Sequence, residues 1–386
     1  MALKRPGPSI RRRFREAFEY RASDNVWLDC LRTLAILLVL LRHGQRALEA
    51  GPSHNAIEIL SLNGWAGVDL FFLLSGYLVT SGLLRSHAGL TGDGVKLYIS
   101  KRFFRIAPAY FVVLALVIAG YFPLYEISRE NLLNRFVAHL FFLQDLAPSD
   151  FNVVFWSLGV EVKYYAIIPI ALALLSRCIS LKKLCAFLLA ALCLAVSIRC
   201  LVYISTDISD YYRFFRHLRS PYYACLEPFA LGFFLAIFQK QGVLAFIGHR
   251  QACLVFAITL IGLSLYLATH EFLSVINAWD ATVQPFVLSL FFAALVGAAT
   301  QMGALNTRLE PLFRYGARLS YSLYLVHFPL IPLSLAMTHH INAGTPGFWV
   351  FYALLSISHA IALLIFIETP CMALARATKR EKAEQA

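Results

Sequence analysis

Charged residues are scarce in this chain. Asp, Glu, Lys and Arg make up 15% of its 386 residues, while 59% are hydrophobic. Soluble domains carry about 25% charged residues, so a soluble fold is excluded. Metal and disulfide signals are missing as well. The eight cysteines contain no C-x-x-C pair and none clusters with histidine at ligand spacing. Cys178, Cys185, Cys193 and Cys200 recur at a spacing near seven, as a helix packing stripe does, so neither a metal site nor a disulfide framework is expected. No low-complexity segment and no convincing internal repeat is present, which argues against a transporter built from duplicated halves. The basic stretch RRRFREAFEYR lacks an A-x-A-like site after it, and the following apolar run is too long for a signal peptide.

What is abundant is apolar sequence in runs of bilayer length, with a mean hydropathy of +0.66. The pattern predicts an all-α, polytopic transmembrane bundle of about ten spans. They fall near 27–49, 62–84, 104–122, 153–175, 183–204, 222–239, 252–269, 281–302, 319–338 and 347–369. The segment 123–152 reads as an external loop, in which FVAHLFFL is too short to span and is re-entrant or interfacial. The domain boundaries follow: a basic arm over 1–26, a membrane domain over 27–372 and a tail over 373–386. The net charge of +12 is a topology signal, not a nucleic-acid one. Alternate loops hold about 24 Lys and Arg on one side against about six on the other, which places both termini in the cytoplasm.

The polar residues inside the spans carry the chemistry. Arg32 and His43 are eleven apart, about three turns plus 20°, so they leave the first span on one face, about 16 Å apart along it. Ionisable residues in such places line pathways or active sites. His43, Asp69 and Glu161 all fall about 9–12 Å from the outer boundary. An imidazole and two carboxylates in one layer predict a base oriented by a carboxylate, the arrangement that activates a hydroxyl. Arg32, Ser75, Tyr321, Tyr324 and Glu368 form a deeper layer, with Ser75-Gly76 also reading as a small-residue helix contact. Arg102 and Arg105 share a helix face at the inner mouth, as a phosphate clamp or as snorkelling residues, and Pro108 marks a bend or a first turn. Outside, DISDYYRFFRHLRSPYYA combines Arg213, Arg216 and Arg219 with tyrosines and phenylalanines, as an interfacial belt or an acceptor platform.

In order along the chain stand LRTLAILLVLLRHG, GWAGVDLFFLLSGYLVT, KRFFRIAPAY, FWSLGVEVKYYAIIP, LSYSLYLVHFPL and a closing ETP. Together they resemble the acyltransferase family 3 membrane enzymes across nearly the whole membrane domain. The resemblance implies transfer of an acyl group, most often acetyl, from cytoplasmic acyl-CoA to a hydroxyl of a carbohydrate or related acceptor. It implies His43 as the essential histidine, a general base or an acyl carrier, and Arg32 as its motif partner. Arg102 and Arg105 match the R-x-x-R that holds the donor's phosphates. Trp156, Ser157 and Glu161 match the W-S-L-x-x-E element, Tyr321, Tyr324 and His327 the S-Y-x-x-Y-x-x-H element, and Glu368 the late glutamate. Lys163 departs from the pattern beside Glu161 and is expected to face another helix or snorkel outward.

The expected chemistry is therefore an O-acyltransferase of a bacterial inner membrane, with acetyl-CoA as donor substrate and no permanently bound cofactor. Donor binding falls to Arg32, Arg102, Arg105, Ser75, Tyr321, Tyr324 and Glu368. Catalysis falls to His43 with Glu161 and Asp69, and acceptor binding to Trp156, His327, Arg213 and Arg216. The partners are the acyl-CoA, a carbohydrate or glycolipid acceptor and the bilayer, with a separate extracytoplasmic protein for any hand-off outside. A macrolide or lipid hydroxyl as acceptor, or a proton-coupled transporter using the same residues as a relay, are the alternatives. The mechanism expects a narrow channel bringing the thioester from Arg102 and Arg105 past Arg32 to His43.

Overall fold

The computed structural model describes residues 10–19, 25–48, 55–86, 90–147, 151–175, 180–272, 276–305 and 307–374. Residues 1–9 and 20–24 of the expected arm, residues 375–386 of the expected tail and Cys178 lie outside the described residues. Helix α1 (Ile10–Phe18) precedes the first long helix, α2 (Val26–Leu48), and the short α3 (Ala56–Leu62) leads through a tight turn into α4 (Ala66–Leu84). Then follow α5 (Gly92–Ile118), α6 (Leu132–Leu140), α7 (Trp156–Leu175), α8 (Leu181–Ser205) and the single turn α9 (Tyr211–Phe214). The chain closes with α10 (Leu226–Lys240), α11 (His249–Leu267), α12 (Ala278–Thr282), α13 (Gln284–Gln301), α14 (Glu310–Val326), α15 (Ile331–His340) and α16 (Gly344–Leu363). Among the described residues there is no strand.

Seven helical stretches are long and apolar enough to cross a membrane, and α14 with α15 makes an eighth if that bent pair is one span. The other two expected spans coincide with α2 and α5, which have the length, 23 and 27 residues, but a heavier charge. Asp29, Arg32, Arg42 and Arg46 lie on α2, and Asp93, Lys96, Lys101, Arg102 and Arg105 on α5. Helix α5 begins well before the expected residue 104, capped by Thr91 Oγ1 accepting from the Gly94 amide. Pro108 is thus a mid-helix residue and not a first-turn one. The short α6, at nine residues, reaches only about 14 Å, as the loop reading requires.

Close helix contacts are made at glycines. A Cβ on Gly232 of α10 would run into the backbone of Leu73, and one on Gly76 of α4 into that of Phe229. The Ser75-Gly76 pair is therefore a close-approach contact between α4 and α10. Gly67 does the same against Ala35 of α2, and a Cβ on Gly316 of α14 would meet the Thr33 side chain. Helix α2 is so gripped between α4 and α14, and the buried core divides around it. One cluster joins α4, α10, α11 and α13; the other joins α2, α5, α7 and α14.

Two prolines, Pro169 and Pro329, share one device. Proline has no N–H for the carbonyl four residues back, and in an apolar medium that carbonyl needs another donor. Pro169 leaves the Tyr165 carbonyl, which accepts from Tyr98 Oη at 3.0 Å. Pro329 leaves the Leu325 carbonyl, which accepts from the fully buried Asn152 Nδ2 at 3.0 Å. At that second proline the chain turns by 64° between Glu310–Val326 and Phe328–His340, and His327 stands at the elbow.

Candidate active site

A cavity of about 400 Å³ enters between α2, α4, α5, α7 and α14. Its walls carry Arg32, Arg102, Arg105, Arg314 and Arg318 against Asp29 and Glu161. Several of these cations are held in place. Arg105 Nη1 lies 2.7 Å from Glu368, whose other oxygen accepts from Ser322 at 2.9 Å. Arg314 bridges Asp29 at 3.1 Å and Glu310 at 3.0 Å. Two others keep bonding capacity in hand. Arg32 Nη2 makes a long 3.4 Å bond to Ser320 Oγ, and the buried Arg102 Nε donates to nothing among the described residues. The lower wall is thus a set of guanidiniums facing an empty volume, suited to a polyanion.

Glu161 belongs to this cavity. It accepts from Ser75 Oγ at 2.5 Å and from Tyr165 Oη. Asp69 is engaged elsewhere: Arg219 Nη1 donates to it at 2.7 Å while Arg219 also bonds the Trp65 carbonyl at 3.2 Å and lies over the Trp65 and Trp156 rings. The expected single layer of His43, Asp69 and Glu161 is not assembled. A residue count along a span reports depth and says nothing of azimuth, and the three side chains turn to three different neighbours. The partner of His43 is another imidazole. His43 Nδ1 lies 3.0 Å from His327 Nε2, and the edge of the Phe328 ring closes on it at 5.1 Å. Arg32 and His43 do share a face, since both turn to the same segment, Arg32 to Ser320 and His43 to His327.

The cavity ends short of His43. Tyr324 Oη, in the cavity's lining, bonds Ser157 Oγ at 2.6 Å and donates to the Val154 carbonyl at 2.8 Å. His43 is not among the lining residues, so this cavity does not form the expected open channel to the imidazole; the ring of Tyr324, in its lining, stands 5.8 Å from that of His327, the partner of His43. A second cavity, of about 840 Å³, is lined in part by Trp156 and Phe328, next in sequence to Ser157 and His327. Its aromatic walls are Tyr125, Tyr211, Tyr212, Phe215 and Trp156, and its polar ones include Glu130, Asn131, Gln144, Asp145 and Arg216.

The outer arginines part company. Arg216 lines this second cavity, reaching the Tyr212 hydroxyl at 3.4 Å. Arg213 does not line it and pairs with Asp207 and Asp210, and Arg219 is buried against Asp69. Lys163 faces the turn after α6, where it was expected to face another helix or snorkel outward. It donates to Asp145 and to the Phe142 carbonyl at 2.8 Å, so the departure from the pattern pins the loop under the outer cavity and leaves Glu161 to Ser75 and Tyr165. Tyr321 lines the inner cavity and donates to the Ile106 carbonyl at 2.7 Å. Sequence reasoning missed Asn152, Tyr165, Arg318 and the buried His139, whose Nδ1 meets Tyr110 Oη at 2.6 Å. The prolines four residues after Tyr165 and Leu325 were the available signal for Tyr98 and Asn152. Nothing in the spacing marked the others.

The family model described as an acyltransferase domain, that of acyltransferase family 3, matches residues 25–366. The chain belongs to that family. Among curated relatives, the acyltransferase is 27% identical over 371 residues to the peptidoglycan O-acetyltransferase OatA of Listeria monocytogenes, a match covering 89% of this chain and 55% of the relative. It is 22% identical over 366 residues to the O-acetyltransferase OatA of Staphylococcus aureus, covering 89% and 56%. The acyltransferase thus spans about half the length of the curated relatives it matches. No solved structure matches it.

Proposed function

We propose that this acyltransferase is an integral membrane O-acetyltransferase of a bacterial inner membrane, crossing it ten times with both termini in the cytoplasm. It takes acetyl groups from cytoplasmic acetyl-CoA and passes them to a hydroxyl of a carbohydrate or glycolipid at the outer face. What carries this reading is two cavities of different character with the imidazole pair between residues of their linings: Tyr324 of the first stands 5.8 Å from the His327 ring, and Phe328 of the second 5.1 Å from the His43 ring. The inner one is lined by guanidiniums, which suit nucleotide phosphates. The outer one mixes aromatic faces with amide and carboxylate groups, the combination that stacks on and hydrogen-bonds to sugar. The relatives named as O-acetyltransferases point the same way.

In this mechanism Arg102, Arg105 and Arg32 hold the donor while its thin arm reaches up to Tyr324 and Ser157. Rearrangement of that hydrogen-bonded pair admits the thioester to His43. The imidazole takes the acceptor's hydroxyl proton, the alkoxide oxygen bonds the thioester carbon, the C–S bond breaks, and the proton returns to the CoA thiolate. Glu161 and Asp69 shape the route through Ser75, Tyr165 and Arg219 and do not orient the base.

The test uses the full chain in lipid nanodiscs with labelled acetyl-CoA, and mass spectrometry of cell-surface saccharides. Arg102→Ala with Arg105→Ala is expected to raise the donor KM by about tenfold or more, the worth of one charged hydrogen bond. His43→Ala is expected to keep donor binding and lose the acetylated product. Acetylated saccharide at the parent level in His43→Ala cells, or donor binding indifferent to both arginines, refutes the reading.

A further inference from the structure

We propose that His327 is a positioning residue that holds His43 in one tautomer, with the proton on Nδ1, so that Nε2 is the reacting nitrogen. The assignment comes from counting protons. The Leu323 carbonyl oxygen can only accept, and His327 Nδ1 sits 3.0 Å from it. His327 Nδ1 therefore carries hydrogen, and in the neutral ring Nε2 is left as a lone pair. That lone pair faces His43 Nδ1 at 3.0 Å, so His43 Nδ1 is the donor and its proton is spoken for. What remains on His43 is an unprotonated Nε2, on a ring that is partly exposed while His327 is fully buried.

The anchor is rigid. The same Leu323 carbonyl accepts the backbone amide of His327 at 3.0 Å, so two hydrogen bonds from one residue converge on one oxygen. The elbow at Pro329 ends the helix just beyond, with Asn152 holding the Leu325 carbonyl that the proline abandons. Among the described residues no carboxylate is bonded to either ring, so the device is a neutral chain running from carbonyl to imidazole to imidazole. It fixes which nitrogen is free without adding a buried negative charge.

The consequence for the reaction rests on the proposed function. When His43 Nε2 takes the hydroxyl proton, C–O forms and C–S breaks, the proton on Nδ1 stays with the His327 lone pair, and Nε2–H is the group that reprotonates the thiolate. Were an acyl group to be carried on the imidazole instead, it would also sit on Nε2.

Two measurements separate the inference from the function. Solid-state NMR of ¹⁵N-histidine-labelled full chain in bilayers, with His43 assigned through His43→Gln, is expected to show Nδ1 protonated and Nε2 bare. In His327→Leu the signal is expected to move to the tautomer protonated at Nε2 or to a mixture. His43 protonated at Nε2 in the parent, or a tautomer unmoved by His327→Leu, overturns the inference whether or not the chain transfers acetyl groups. In the acetyl-transfer assay, His327→Leu is expected to lower kcat by about 10²-fold or more with the acetyl-CoA KM unchanged, in the range of a general-base contribution. His327→Gln, whose Oε1 occupies the place of Nε2 and accepts from His43, is expected to recover most of that loss. Equal loss in both variants marks a merely structural residue and overturns the proposal. A parent chain inactive with every acceptor removes the function, and the NMR result then decides the tautomer alone.

Discussion

Removing the Asn152 amide is the sharpest test of how the α14 elbow is held. Asn152 is fully buried, donates from Nδ2 to the Leu325 carbonyl at 3.0 Å, and accepts the Val154 amide at Oδ1 at 3.4 Å. Asn152→Leu leaves a buried carbonyl and the start of the turn before α7 without partners. An orphaned buried polar group costs about 1–3 kcal/mol and a lost N-cap about 1 kcal/mol, so the expected loss is about 2–4 kcal/mol. The physical claim is that Asn152 stands in for the amide that Pro329 lacks. In a Pro329→Ala background the residue 329 N–H can itself reach the Leu325 carbonyl, and Asn152→Leu is then expected to cost at least about 1 kcal/mol less. Reversible unfolding in mixed micelles, run as a double-mutant cycle, reads the coupling directly. Two substitutions that add to within about 0.5 kcal/mol refute the compensation.

Other substitutions separate the site's parts. Arg216→Ala is expected to raise the acceptor KM about tenfold through loss of one charged contact, whereas Arg213→Ala, which breaks only exposed pairs with Asp207 and Asp210, leaves it unchanged in the same assay. Lys163→Met leaves the buried Asp145 carboxylate without its ammonium and is expected to destabilise the chain by about 3–5 kcal/mol in micelle unfolding. His139, in the short α6, is held by burial and then by the charge of Arg135 down to about 3 from an ordinary 6.5. The unfolded chain binds that proton below about pH 6.5 and the folded one does not, so stability is fully present above that pH. It falls by about 1.4 kcal/mol per unit toward pH 3. Unfolding measured at pH 7.5, 5.5 and 4.5 is expected to show a shallower slope in His139→Gln.

What was legible in the sequence was whatever depends on position along one helix. Apolar run lengths located the seven helical stretches that can cross a membrane and the bent α14–α15 pair, and the eleven-residue spacing put Arg32 and His43 on one face, which both then turn toward one segment. The order of the motifs placed Arg105 and Glu368 in one family pattern, and they meet at 2.7 Å. What was not legible depends on rotation of one helix against another. Asp69, Glu161 and His43 were expected in one layer, yet Gly76 and Gly232 bring α4 close to α10 and the polar edge of α4 divides, Asp69 going to Arg219 and Ser75 to Glu161. No count along the chain reports that rotation. The carboxylate expected behind His43 is replaced by a histidine because the neighbour at that height is the broken end of α14. There the backbone itself supplies the acceptor that orients the ring. In the proposed mechanism, a base aligned by a neutral chain needs no buried anion beside the path that a polyanionic donor's thioester would take. An aspartate there would repel the thiolate that forms as the C–S bond breaks, whereas the imidazole leaves it only the proton on Nε2 to meet.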